Sequence, residues 1–131
     1  YEMHNVKPVS LNMLLRSSDV ITLHLPLNKS TYHLLSLERL HLIKHGAILI
    51  NLARGGLIDE KVLKRMLQSG SISGLSLDVL EEEPDIDLDL VETENVFITP
   101  HIGGSTQEAI IAMGMSAIEG LDKHKNSLQF I

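Results

Sequence analysis

Residues 36–70 read SLERLHLIKHGAILINLARGGLIDEKVLKRMLQSG, and the way this stretch alternates decides the fold. Ser36 is a capping residue ahead of a helical face made by Leu37, Leu40 and Ile43, and Gly46 supplies the left-handed position that closes the segment. Residues 47–50 are then a continuous apolar run of strand length, broken by the polar, glycine-containing residues 51–56. Asp59 caps the next helix, which turns Val62, Leu63, Met66 and Leu67 inward, and Gly70 ends it. Helix, strand, helix at these lengths is the repeating unit of a parallel sheet, because parallel neighbours need a crossover of about a dozen residues or more.

The unit continues in both directions. Upstream, Ser10 caps a short helix in which Leu11, Leu14 and Leu15 share a face, and residues 20–25 form a strand stopped by Pro26. Downstream, residues 75–80 are the third strand, residues 81–95 an acidic connection without apolar period, and residues 96–99 a fourth strand stopped by Pro100. Ser105-Thr106-Gln107-Glu108 reads as a Ser-x-x-Glu capping box for a last helix. That helix carries Ile110, Ile111, Met113, Met115, Ile118 and Leu121 and is apolar on most sides, so it is expected to pack on a neighbouring domain or subunit as well as on its own sheet. The pattern predicts an α/β fold, a parallel sheet with helices on both faces joined by right-handed crossovers. No internal repeat, low-complexity segment or flexible linker interrupts it.

Composition narrows the function classes. The 131 residues fit one domain, and 44% hydrophobic content with 3% aromatics and no Trp fills a core with Leu, Ile, Val and Met, as in helix-covered parallel sheets. A net charge of −6, spread along the chain, gives no footprint for nucleic acid or an anionic membrane. No apolar run approaches the ~20 residues of a membrane span. Without Cys there is no disulfide framework and no thiolate metal site, so no metal is expected and a reducing, cytoplasmic location is. A chain opening on Tyr1 and running at once into a polar stretch is expected to be a piece of something longer. No Gly-x-Ser-x-Gly elbow and no Gly-x-x-x-x-Gly-Lys loop points to a hydrolase nucleophile or a nucleoside triphosphate.

In a parallel sheet ligands sit beyond the carboxyl ends of the strands, so the loops after Leu25, Leu52, Leu77 and Thr99 are the ones to read. Arg54, next to Gly55-Gly56, is by default a solvated loop residue; at a strand end its guanidinium is also a bidentate carboxylate clamp, and the glycines admit close approach. His101 follows Pro100 and is either a surface or capping imidazole or a proton donor and acceptor. Glu83 belongs to an acidic run that is ordinarily solvated, yet one of its members can hydrogen-bond a histidine and raise its pKa. Asp78 is a turn cap or an acceptor for a carboxamide, and Gly103-Gly104 a helix entry or an anion nest.

Taken in order, residues 51–60 (NLARGGLIDE), 77–84 (LDVLEEEP) and 99–104 (TPHIGG), with His24-Leu25-Pro26-Leu27 and Thr31 before them, resemble the NAD-dependent D-isomer-specific 2-hydroxyacid dehydrogenases over nearly the whole chain. The resemblance implies that residues 1–131 are a partial dinucleotide-binding domain, the second half of a Rossmann-type fold. The family's Gly-x-Gly-x-x-Gly turn, its acidic ribose residue and its separate substrate domain have no counterpart here. It implies that Arg54 binds the substrate carboxylate and polarises its carbonyl, that His101 is the general acid/base paired with Glu83, and that Asp78 holds the nicotinamide carboxamide. Leu25, Pro26, Thr31, Leu52 and Ala53 would border the cofactor, as would Arg54, His101, Gly103 and Gly104.

The implied cofactor is NAD, with NADP open, and the implied reaction is reversible hydride transfer with a small 2-oxo or 2-hydroxy acid. A homodimer is expected of the full-length protein, with no nucleic-acid or membrane partner. The isolated chain is expected to hold NAD weakly and to show no turnover, because the phosphate-binding helix terminus is missing. Residues 80–84 and 101–106 look most like phosphoglycerate dehydrogenases and glyoxylate reductases, with lactate also open as substrate. Two other readings remain: a non-catalytic relative that senses NAD(H) and binds protein, like the family's corepressor branch, and an unrelated doubly wound domain such as a methyltransferase.

Overall fold

Capping chemistry starts the chain's first helix: Ser10 Oγ accepts the Met13 amide at 3.3 Å, and α1 runs Leu11–Ser17 with Leu15 buried. The structure is a computed structural model that describes residues 6–122. After α1 come β1 (Val20–Leu23), α2 (Leu37–Leu40) and β2 (Ala47–Asn51), then a 3₁₀ turn at Gly55–Leu57. Next are α3 (Glu60–Gln68), β3 (Ile72–Leu77), α4 (Leu88–Val91), β4 (Val96–Ile98) and α5 (Gln107–Asp122). The described residues fall into two compact units, one ending at Pro100 and the other beginning at His101.

The first unit is built on one parallel sheet of order β1-β2-β3-β4. The register lines up Leu23, Asn51, Leu77 and Ile98, so the four strands end along a single edge. The parallel α/β expectation holds, and the strand order explains how the layers are arranged. Crossovers of one hand that add each strand on the same side lay all their helices on one face. That face is the core: Ile21, Leu23, Leu49, Leu75 and Leu77 form one buried cluster with Leu15, Leu40, Leu63 and Leu90 from the helices. Each such side chain contributes roughly 1.5–3 kcal/mol by leaving water. The alternate residues Val20, Ile48 and Phe97 face the other way and are exposed.

α3 follows the reading closely. Asp59 Oδ1 accepts the Val62 amide, Val62, Leu63, Met66 and Leu67 are buried, and Gly70 takes φ +72° behind the helix. Elsewhere boundaries move. β1 stops at Leu23 rather than 25, because its partner among the described residues, β2, ends opposite it at Asn51. β3 spans Ile72–Leu77 rather than 75–80. Ser73 and Gly74 look like loop residues, but β2 pairs with Ile72 and Gly74 on either side of a register irregularity at Ser73. Beyond Leu77 that ladder is exhausted, and Val79 leaves the sheet while remaining buried.

α2 is a single turn, too short to carry a periodic face. Leu40 and Ile43 are buried, but Leu37 is 44% exposed instead of facing inward. The Ser36 hydroxyl donates to Glu38 Oε2 at 2.6 Å instead of capping the helix. His41 and His45 have the i, i+4 spacing that on a helix turns two imidazoles towards one metal. α2 ends before both, and His41 Nδ1 lies 2.7 Å from the Leu37 carbonyl oxygen. α4 interrupts the acidic connection: Asp87 Oδ1 accepts the Asp89 amide and only Leu90 is buried, which leaves no period to detect.

In the second unit, the capping hydroxyl of α5 is that of Thr106, which accepts the Ala109 amide at 3.1 Å, one residue later than the Ser105 reading. Ile110, Ile111, Met113, Met115, Ile118 and Leu121 are exposed. Among the described residues no helix is long and apolar enough to cross a membrane, and no group of three metal-ligating side chains is assembled.

Candidate functional site

At the end of β2 a buried amide shapes the turn. Asn51 is 1% exposed; its Nδ2 donates to the Arg54 carbonyl at 2.9 Å and its Oδ1 accepts the Ala53 amide at 3.1 Å. Both ends of the side chain are used, so residues 52–54 are held as a template off the strand edge. Asn51→Ala strands these partners and is expected to cost about 1–3 kcal/mol by urea denaturation, and a loss below about 0.5 kcal/mol would contradict the template role. In the sequence Asn51 stands out only as a strand breaker. The signal that marks it is an amide closing an apolar strand just before Gly-Gly.

Gly55 and Gly56 are buried and open the 3₁₀ turn. A Cβ on Gly55 would stand 2.0 Å from the Leu80 carbonyl carbon and oxygen and 2.4 Å from the Glu81 amide nitrogen. The turn carrying Arg54 therefore rests backbone on backbone against the start of the acidic loop.

His24, Leu25, Pro26 and Leu27 from the β1 end and Leu52, Ala53 and Arg54 from the β2 end line a cleft of about 690 Å³. Arg54 lies exposed there, with Nη1 donating to the Ala53 carbonyl at 2.6 Å. Thr31 is not a wall of this cleft. Its hydroxyl donates to the Pro26 carbonyl and accepts the Asn28 amide, both at 2.8 Å, so it fixes the loop that presents Leu25 and Pro26. At the β3 end, Asp78 is 4% exposed and accepts the Thr99 hydroxyl at 2.5 Å. Thr99 escaped the site reading, although a hydroxyl at the last strand position before a proline is placed to serve a neighbouring strand end.

The edge as a whole suits one end of a dinucleotide. Apolar walls from two strand ends can take a flat ring, and the buried Asp78 carboxylate at the β3 end can accept an amide proton. A second cleft of about 410 Å³, between α3 and the acidic loop, is lined by five carboxylates and two lysines. That balance repels a small organic acid. Lys64 there is already committed to Asp87 at 2.8 Å and Asp89 at 2.9 Å.

On the acidic loop Glu83 and Glu81 have different tasks. Glu83 Oε1 accepts the Leu80 amide at 2.8 Å, which curls its carboxylate back over the start of the loop. Glu81 Oε1 accepts the Tyr32 hydroxyl at 2.9 Å and lies 2.7 Å from His33 Nε2. The Glu81 amide donates to Glu60 Oε1 at 2.7 Å. Burial pushes the Glu60 carboxyl up to about 7, against the pull of the Glu81 amide, with the charges of Glu81, Glu82 and Glu83 adding to the rise. A folded value above the ordinary carboxylate range means that its contribution to stability is full below that range and is lost as pH rises through about 7.

His101, Gly103 and Gly104 open the second unit. His101 has φ +53°, a left-handed backbone that a side chain with a Cβ adopts at a cost of roughly 1 kcal/mol, and such conformations concentrate at functional positions. A Cβ on Gly104 would meet nothing within 4 Å, so packing does not require glycine there.

The family model described as "D-isomer specific 2-hydroxyacid dehydrogenase, NAD binding domain" matches residues 1–103. The chain is 47% identical over 113 residues to a D-3-phosphoglycerate dehydrogenase of Methanocaldococcus jannaschii, covering 86% of this chain and 22% of that protein. It is 46% identical over 101 residues to a glyoxylate reductase of Thermococcus litoralis, covering 77% of this chain and 30% of the relative. Among solved structures, a D-lactate dehydrogenase of Aquifex aeolicus complexed with NAD and lactic acid superposes with a TM-score of 0.74 at 36% identity. That match covers 88% of this chain and 40% of the other. The chain thus spans between about a fifth and two fifths of the length of these proteins.

Proposed function

Because this chain belongs to the NAD-binding-domain family of the D-isomer-specific 2-hydroxyacid dehydrogenases, we propose that it is part of an oxidoreductase that moves a hydride between NAD(H) and a small 2-oxo or 2-hydroxy acid. The observation that carries the reading is the cleft at the β1 and β2 ends, where Arg54 stands exposed on a turn templated by the buried Asn51. In this reading the chain is the carboxyl-terminal part of the dinucleotide-binding domain. The glycine-rich turn and the substrate domain are supplied by the rest of the polypeptide.

When bound, the nicotinamide supplies or accepts the hydride. The protein's own groups do the rest. Leu25, Pro26, Leu52 and Ala53 would wall the ring and exclude water; the family resemblance assigns Gly103 and Gly104 to the cofactor as well. Asp78, oriented by the Thr99 hydroxyl, would accept a hydrogen bond from the carboxamide. The Arg54 fork takes the substrate carboxylate and draws electron density from its carbonyl. Glu83 and His101 take the roles that the family resemblance implies, a carboxylate that assists and a general acid/base. His101 then delivers a proton to the carbonyl oxygen, or removes it in the oxidative direction.

Glyoxylate, hydroxypyruvate and phosphohydroxypyruvate are the first substrates to test, in line with the relatives' activities. A cytoplasmic homodimer is the proposed assembly, supported by the exposed apolar residues of α5. The test is NADH oxidation by the full-length protein against a panel of 2-oxo acids. Turnover with at least one is expected. NADH binding without turnover on any would overturn the enzymatic reading and favour a non-catalytic sensor. Turnover by residues 1–131 alone would overturn their assignment as part of a divided site.

A further inference from the structure

Three loops of the first unit converge on Glu81, which the proposed chemistry does not use. From the loop after β1, Tyr32 donates its hydroxyl to Glu81 Oε1 at 2.9 Å, and His33 brings Nε2 to 2.7 Å of the same oxygen. The two rings stack with centroids 4.0 Å apart. His33 holds a left-handed backbone at φ +47°, and its amide donates to the Gly56 carbonyl at 2.8 Å. From the first residue of α3, Glu60 accepts the Glu81 amide at 2.7 Å. Under this clasp lies the close approach of Gly55 to Leu80 and Glu81. Glu83, two residues on, bonds back to the Leu80 amide.

The loop bearing Glu83 is thus tied at its root by a side chain from α3, two from the β1 loop and a backbone contact from the Arg54 turn. A half-buried carboxylate surrounded by Glu81, Glu82 and Glu83 is an unfavourable place for charge, so Glu60 is not explained by solvation of α3. The hydrogen bond it accepts is its evident use.

We propose that Glu60 is a positioning residue: by holding the Glu81 amide while Tyr32 and His33 hold the Glu81 carboxylate, it fixes the loop that carries Glu83 against the turn that carries Arg54. This rests on the roles given above to Glu83 and Arg54. A neutral acceptor of the same shape suffices for the task, because the bond runs to a carbonyl-type oxygen. Glutamine at this position should therefore work and alanine should not.

The experiment compares Glu60→Ala and Glu60→Gln in the full-length protein, by hydrogen exchange at the Glu81 amide and by steady-state kinetics with NADH and the best 2-oxo acid. Glu60→Ala is expected to speed exchange about tenfold and to lower kcat about tenfold with KM changed less than about twofold. Glu60→Gln is expected to return both to within about threefold of the native protein, a rescue that general destabilisation would not give. Unchanged exchange in Glu60→Ala overturns the clasp whatever the kinetics, and faster exchange with native kcat overturns the positioning. If the native protein has no turnover at all, the dehydrogenase reading fails and the positioning role with it, while exchange separately decides whether Glu60 holds the loop. Should Glu60→Ala not fold, Tyr32→Phe removes one hydroxyl from the same clasp and should give both effects at about threefold, with no change in either counting against the proposal.

Discussion

Gly55→Ala is expected to destabilise the chain by about 3 kcal/mol or more, the upper end of what overpacking costs. The added methyl would sit 2.0 Å from the Leu80 carbonyl group and 2.4 Å from the Glu81 nitrogen, and these are backbone atoms that no rotamer change can move aside. One of two segments has to shift: the turn templated by Asn51 or the loop root clasped at Glu81. Either breaks hydrogen bonds that are buried or half-buried, so the strain cannot be relieved locally. A thermal scan should show a melting temperature lower by about 10 °C, given the usual slope for a domain of this size. Gly104→Ala, whose Cβ meets nothing within 4 Å, is the control and should stay within about 0.5 kcal/mol of the native chain. Equal stability of the two variants would mean that the Arg54 turn and the acidic loop do not touch as described.

The second large effect is chemical. His101→Ala in the full-length protein is expected to lower kcat by on the order of a hundredfold or more, close to 3 kcal/mol of lost transition-state stabilisation, because no other group is assigned to the proton. KM for the 2-oxo acid should change little, since the carboxylate is proposed to bind Arg54. His101 also carries a left-handed backbone, and the alanine variant changes ring and backbone preference together. Asn at position 101 tolerates that conformation and lacks a titratable imidazole, so His101→Asn separates the two. A kcat within about tenfold of native in His101→Asn would remove the general acid/base role.

How much of this was legible depended on whether a signal repeats. α3 has two full turns of apolar spacing, a capping Asp59 and a terminal Gly70, and its reading needed no revision. α2 and α4 are single turns with one buried residue each, below the length at which a period exists. β3 begins at Ile72 rather than Leu75 because Ser73 and Gly74 have poor strand propensity, and pairing of Ile72 and Gly74 with β2 makes this stretch strand. The site divides in the same way. Residues 51–56 announce a strand end by composition, and Leu25, Pro26, Leu52, Ala53 and Arg54 do line one cleft. The side chains that hold it, Asn51, Thr99 and Glu60, act through partners distant in sequence or through their own turn's backbone, and no spacing rule encodes them.

Laying down strands in a single direction also sets how the first unit meets its solvent. Ile21, Leu49 and Leu75 drive collapse, whereas Val20, Ile48 and Phe97, their alternating neighbours on the same strands, present hydrocarbon to water. At roughly 25 cal/mol for each Å² left wet, that second surface adds nothing to the folding of the first unit and is expected to favour association at high concentration.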